Sequence, residues 1–406
     1  MLRGVAGRGM AAGCMATGLA ILALVSTPQT LLAQSDDASL EIAIGYLERV
    51  RERPPTLSNL DPVPGDEGLA GARLATQDNA TTGRFLGQDY ALTESIVPPD
   101  GDWLAAARAV LAETPLVVVN APAADLLALA DLPEAEGAVL LNAGAPDGAL
   151  RAAECRANLL HTLPSRAMLA DALAQFASVR RWGDWALIVG PREADAAWAA
   201  ALETSAAKFR LDLDGRLEWT FDADLRRSAA AEVPLFTQAL PDHDLLVIAD
   251  EANDFARYVP YNTWEPRPVA GSEGLVPAAW NASVEQHGAA QLQSRFEELA
   301  GRDMRAVDYA AWAAARAIGE AVTRTGSADP DALRDYMLSD AFELGGFKGR
   351  PLTFRSWNGQ MRQPVPLAHE GAVVALAPLE GFLHPRNELD TLGLDEPEAG
   401  CTAFAN

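Results

Sequence analysis

The chain has 406 residues, enough for two domains or two lobes of one. Its 32 basic and 56 acidic residues leave a formal charge of −24, which repels phosphate backbones and argues against a nucleic-acid partner. At 49% hydrophobic, the chain can bury a sizeable core.

Arg3 and Arg8 open the sequence, an apolar run follows over Ala16–Val25, and "STPQTLLA" ends on Ala33. This layout predicts a secretory signal peptide over 1–33, cut before Gln34. Its apolar part is too short to span a bilayer, which takes about 20 residues, and no later run is longer. A periplasmic chain that is not membrane-embedded is therefore expected. Cys155 and Cys401 remain after the cut. An even count in an exported chain predicts a disulfide between them, with two unrelated buried thiols as the alternative.

"LEIAIGYL" (Leu40–Leu47) reads as a strand and Gly65–Asn79 as a helix. Gly68 and Gly71 sit in that helix's first turns, where each weakens it by roughly 1 kcal/mol relative to alanine, so they call for a reason. "YALTESIV" is a second strand. "GDWLAAARAVLAE" follows as a helix capped by Asp102, with Trp103, Leu104, Ala107, Val110 and Leu111 on one face. Leu116–Val119 has the unbroken apolar run of a strand covered on both faces. A helix over Ala123–Ala130 and a strand over Ala138–Leu141 continue the rhythm. It resumes with a strand at Trp185–Gly190, a helix at Ala194–Phe209 and a strand at Asp244–Asp250. Alternating strands and helices in two blocks imply two parallel sheets flanked by helices. A helical region follows over Val284–Val322, broken near "AGRDM", and "SADPDALRDYM" starts another helix. "GRPLTF", "PVPLAH" and "GAVVALAP" read as strands before a proline-rich tail carrying Cys401.

Motifs of catalysis and phosphate binding do not occur: no G-x-S-x-G, no phosphate loop, no G-x-G-x-x-G. The five histidines are scattered at spacings that place no two on one helix face. "LDLDG" (Leu211–Gly215) has its glycine too early for a calcium loop and reads as a solvated turn between strands. Ligands of open parallel sheets gather at the carboxyl ends of strands. Four loops have that position: "NAPAA" after Val119, "NAGAP" after Leu141, "GPREA" after Val189 and "ADEAND" (Ala249–Asp254). The last reads either as a solvated acidic loop or as part of a site.

Several segments, in order, resemble the type I periplasmic solute-binding proteins of the branched-chain amino-acid ABC transporter class. "PGDEGLAGARLA" (Pro64–Ala75) resembles the family's first helix, and "GSEG" (Gly271–Gly274) its Gly-Pro-Glu-Gly turn. "DYAAWAAARAIGEAVTRTGSADPDALRDYM" and "FKGRPLTFRSWNGQ" resemble its late helices and closing strand. "DNATTGRFLGQ" and "HTLPSRAM" look like the subgroup found beside PQQ-dependent alcohol dehydrogenase genes. The resemblance implies a two-lobed α/β fold with hinge crossovers. One lobe would hold 34–160 and 284–340, the other 161–283 and 341–380, with 381–406 as a tail. It implies binding without catalysis, no cofactor, a small-molecule ligand, and an ABC permease or a periplasmic PQQ dehydrogenase as partner.

The resemblance also offers a reason for the glycines. The first helix would open onto the cleft with its amides toward the ligand, and the glycines would let it approach neighbouring backbone closely; the alternative is ordinary helix–sheet packing, which is compatible with the first. The ligand-binding positions become Pro64, Asp66, Asn120, Ala121, Asn142, Ala143, Arg192, Glu193, Asp250, Glu251 and Glu273. The family's carboxylate-gripping hydroxyls are missing from Asn120–Ala124, its cleft tryptophan appears as Pro64, and two cleft tyrosines fall at Ala194 and Glu251. The acid that holds a ligand ammonium is kept as Glu273. Leucine and its kin are therefore not expected as ligands; a neutral polar, cationic or metal-associated solute fits better. The alternatives are a metal-dependent exported enzyme using Asp250, Glu251 and Glu273, and an accessory partner of a dehydrogenase.

Overall fold

The computed structural model describes residues 39–52, 62–221, 229–369 and 371–404; the expected signal peptide lies outside them. The first sheet holds β1 (Leu40–Arg49), β2 (Gln88–Val97), β3 (Leu116–Asn120), β4 (Val139–Asn142) and β5 (Leu159–His161), all parallel, in the order β2-β1-β3-β4-β5. Helix α1 (Leu69–Gly83) covers one face, while α2 (Trp103–Glu113) and α3 (Ala123–Ala130) cover the other. Strand alternation sorts the core accordingly. Leu116 and Val118 face α1, and Val117 and Val119 face α2 and α3. Asp102 caps α2, its carboxylate accepting the Ala105 amide at 3.0 Å.

The second sheet begins after α4 (Arg166–Arg180). It holds β6 (Asp184–Val189), β7 (Asp212–Glu218), β8 (Leu245–Ala249) and β9 (Val269–Gly271), parallel in the order β7-β6-β8-β9. Helices α4 and α5 (Glu193–Phe209) pack on one face, and α6 (Ala229–Thr237) on the other. "LDLDG" is not a turn: its Asp212–Gly215 lie within β7, where Asp214 is the extra residue of a bulge between the Trp185–Leu213 and Ala186–Gly215 pairs.

After β10 (Val276–Pro277), α7 (Ala289–Ala300) and α8 (Ala306–Thr325) return to the first core, with the expected break at Gly301–Arg305 between them. Helix α9 (Pro330–Leu338) is capped by Asp329. Short antiparallel strands follow: β11 (Leu344–Gly345), β12 (Pro351–Phe354), β13 (Met361–Arg362), β14 (Val365–His369) and β15 (Ala372–Ala377). The tail ends in α10 (Glu396–Ala399) and the bond between Cys401 and Cys155, whose Cα atoms lie 5.8 Å apart. Among the described residues, the chain passes between the cores from Leu163 to Met168, from Leu275 to Ala279 and from Met361 to Val365, before the tail. Segment 341–361, expected with the second lobe, packs with the first through Phe342, Leu344, Leu352, Phe354 and Met361. Among the described residues, no helix is long and apolar enough to cross a membrane.

Candidate functional site

The turn Pro64–Gly68 leads from β1 into α1. The amides of Glu67 and Gly68 in this turn are occupied from within. Gly68, at φ +91°, donates its amide to Asp308 Oδ1 at 2.7 Å. Asp308 is fully buried, and its carboxylate also pairs with Arg302, at 2.7 and 3.0 Å. Arg302 reaches on to Asp66 at 3.0 Å. The glycines serve close packing: a Cβ on Gly71 would lie 1.9 Å from the Asp308 carbonyl oxygen, so α1 rests directly on the α8 backbone. The expectation that the amide at the head of α1 is offered to a ligand is thus corrected at Gly68. Asp66 likewise is the partner of Arg302, while Pro64 accepts the Glu67 amide at 3.4 Å.

At the carboxyl end of β3, the Asn120 amide nitrogen lies 3.4 Å from both the Tyr46 hydroxyl and the Glu67 carbonyl. Tyr46 donates to Glu48 Oε2 at 2.8 Å, and burial together with the Glu48 charge pushes its phenol well up. Ala121 is buried against α2 and α3. Asn142 and Ala143, expected at the ligand, are fully buried. The Asn142 side chain closes its own turn, accepting the Gly144 and Ala145 amides at 3.0 and 2.8 Å and donating to the Ala145 carbonyl at 2.8 Å. It also lies 3.0 Å from His161 Nδ1. Burial drives the His161 pKa far down, so the ring is neutral. With Nδ1 accepting from Asn142, Nε2–H donates to the Leu150 carbonyl at 3.1 Å.

The second sheet's acids are largely engaged. The Asp250 carboxylate accepts three amides, those of Asp254 (3.0 Å), Phe255 (2.8 Å) and Ala256 (2.8 Å), and so folds its own loop rather than standing open. Asp195 ties the loops after β6 and β8 together, taking the Arg192 amide at 3.1 Å and the Glu251 amide at 2.8 Å. Arg192 pairs with Asp254, and Glu193 is exposed at the start of α5. Glu251 binds Arg166 through two bonds of 2.6 and 2.8 Å. Arg166 in turn reaches Asp147, in the loop after β4, at 3.0 Å. Burial works against the Arg166 charge, but these carboxylates outweigh it and hold its proton more tightly than usual. Glu273 stands apart. It is half-buried, its carboxylate accepts the Gly274 amide at 3.3 Å, and among the described residues no Lys or Arg pairs with it.

Sequence reasoning missed Arg166, Asp147, Tyr46 and Glu48. Arg166 had a signal, since it follows Ser165, whose hydroxyl accepts the Met168 amide and caps α4. Among the described residues, no group of three or more His, Cys, Asp or Glu is placed to hold a metal ion.

No protein-family model matches the chain, and no curated protein matches it in sequence. Solved structures do match. The amino-acid ABC transporter substrate-binding protein of Pseudomonas fluorescens Pf-5 aligns with a TM-score of 0.63 at 15% identity, over 90% of this chain and 100% of that one. A branched-chain amino-acid ABC transporter periplasmic ligand-binding protein from Burkholderia xenovorans LB400 aligns at 0.64 and 15%, over 89% and 100%. An ABC transporter solute-binding protein from R. palustris, solved with benzoate, aligns at 0.61 and 11%, over 90% and 99%. The chain therefore has the two-lobed α/β fold of the type I periplasmic binding proteins.

Proposed function

We propose that this chain is a periplasmic binding protein that takes a small solute between its two lobes and makes or breaks no bond in it. Closure would deliver the solute to an ABC permease or report it to a PQQ-dependent alcohol dehydrogenase system. The observation that carries the reading is Arg166, which joins Asp147 beside the first sheet to Glu251 at the end of β8, so strand-end loops of both sheets meet at one place. Glu273, just past the end of β9, has no basic partner among the described residues and accepts one amide where Asp250 accepts three, and we assign it the ligand's cationic or donor group. Glu251, already matched by Arg166, leaves the ligand set. The dehydrogenase link rests on the resemblance of "DNATTGRFLGQ" and "HTLPSRAM" to that subgroup; Phe85, exposed, falls in the first of these.

Native mass spectrometry of freshly purified protein tests the reading, with a retained small molecule as the expected result. Calorimetry with that molecule should then show Glu273→Gln weakening it by roughly 1.5–3 kcal/mol, the worth of a charge-assisted hydrogen bond. Equal affinity in the variant would remove Glu273 from the site.

The internal pairing of Asp66 with Arg302 and of Glu251 with Arg166 favours one second reading. In it, the chain's own side chains fill the cleft, and the protein serves as a dehydrogenase accessory. Protein that emerges empty and resists a broad solute screen would support it.

A further inference from the structure

The segment that follows β15 touches both cores. Glu388 pairs with Arg350 at 3.0 Å, in the loop before β12. Asp390, only 4% exposed, accepts from Arg355 at 2.9 Å and from Arg362 at 2.7 Å. Arg355 is itself buried and donates to the carbonyls of Leu389, Leu392 and Leu394 at 3.3, 2.7 and 3.1 Å. These arginines flank β12 and β13, whose Leu352, Phe354 and Met361 belong to the first core.

The same segment then turns to the second core. Leu392 is buried within it. Gly393 donates its amide to Asp171 of α4 at 2.7 Å and accepts from Lys208 of α5 at 3.0 Å. Gln175 of α4 lies 3.3 Å from the Thr391 hydroxyl. Gly393 also rests beside Ser165 and Met168, at the first passage between the cores. Beyond it the chain returns to the first core, through the Cys155–Cys401 bond and through Phe404, which packs at Gly359 and Leu160.

We infer that residues 388–401 are a strap across the hinge, fastened by the Cys155–Cys401 bond, that limits how far the two cores rotate apart. Rotation of two rigid bodies is absorbed by the few residues that join them. Here the strap runs beside the passages at 163–168 and 361–365 and is anchored on both bodies. Opening therefore has to pull Asp390 from two arginines or Gly393 from Asp171, and either leaves buried polar groups unpaired. Cutting the disulfide frees the strap's far end and lets these anchors release one at a time. The device stands whether or not the solute reading holds, because it concerns the hinge alone.

Hydrogen–deuterium exchange of the full chain, oxidised and after reduction with tris(2-carboxyethyl)phosphine, tests it, with bond cleavage read from the mass. Reduction should speed exchange at 163–168 and 361–365 by about tenfold, while β3 and β8 keep their protection. Asp390→Asn with the disulfide intact should act in the same direction. Passages that exchange at the oxidised rate in the reduced chain would overturn the inference. So would a uniform loss of protection that includes β3 and β8, since the bond would then only stabilise the whole fold. A Cys155→Ser/Cys401→Ser variant repeats the reading without reductant; should it fail to fold, the reduced wild-type chain, folded before the bond is cut, still decides.

Discussion

A methyl group on Gly71 would stand 1.9 Å from the carbonyl oxygen of Asp308, far inside van der Waals contact. Because the obstacle is backbone, α1 and α8 would have to separate. Gly71→Ala should therefore lower unfolding stability by roughly 1–3 kcal/mol or more, as overpacked cores do, despite alanine's better helix propensity. Gly65→Ala, whose methyl would meet nothing within 4 Å, should leave the urea midpoint unchanged. Equal midpoints for both variants would mean that the helices are not in contact as described.

Arg166 invites a pair of double-mutant cycles. Its side chain is 11% exposed, against 26% for Glu251 and 36% for Asp147. Partial exposure of the acids limits each coupling to about 1 kcal/mol, with Glu251 the larger because it makes two bonds. Urea unfolding of Arg166→Gln, Glu251→Gln, Asp147→Asn and the double variants reads these terms. Zero coupling to Asp147 would mean that the arginine does not tie the two sides together in solution.

Lys348 is fully buried, 2.7 Å from Gln363 Oε1 and with its ammonium 4.1 Å from the Tyr309 ring centroid. Burial pushes its pKa well below the ordinary lysine value. The unfolded chain then binds more protons than the folded one between the depressed pKa and the ordinary value of about 10.4, so stability rises with pH across that window. The wild-type chain should gain stability relative to Lys348→Met as pH goes from about 7 to about 10. Parallel pH profiles for the two would show that this lysine does not titrate differently on folding.

Leucine should not stabilise the protein. No hydroxyl occurs in Asn120–Ala124, and the Asn120 side chain is turned to Tyr46 and to the Glu67 carbonyl. A ligand that binds the native state must raise its melting temperature. Millimolar leucine, isoleucine and valine should leave the melting temperature unchanged, and a shift of several degrees with any of them would restore the amino-acid reading.

The central strands β3 and β8 were legible because they are covered on both faces, whereas β7, with its largely exposed edge, was read as a turn. Leu116–Val119 and Leu245–Ala249 are unbroken apolar runs because of that double cover. The α7–α8 break, the Asp102 cap and the start of α9 were equally plain. Helix α4 was missed because neighbours pack round most of its surface. Met168, Ala170, Ala172, Leu173, Ala174, Phe176 and Ala177 are all buried, so no single apolar stripe marks it. At the site, position along the chain picked out the acids but not their partners. Asp66 finds Arg302 across 236 residues and Glu251 finds Arg166 across 85, separations that no local pattern encodes. Asn142 and Asp250 sit where binding residues sit, yet both turn their side chains back onto their own loops.

Asp308 serves the starts of two helices at once, taking the Gly68 amide of α1 and the Arg305 amide at the head of α8. The two are far apart in order of synthesis. A ribosome that has made the whole first sheet has not yet made the carboxylate that seats its first helix. Until α8 emerges, the cluster of Ile44, Tyr46 and Leu74 lacks the α8 side chains Tyr309, Ala311 and Ala314 that complete it. The first lobe therefore cannot close until α8 is made, after strands β6–β9 of the second sheet, and a chain cut before α8 should collect on chaperones or aggregate rather than persist as a folded half. Expression of residues 39–283 as a soluble, cooperatively unfolding fragment would contradict this order.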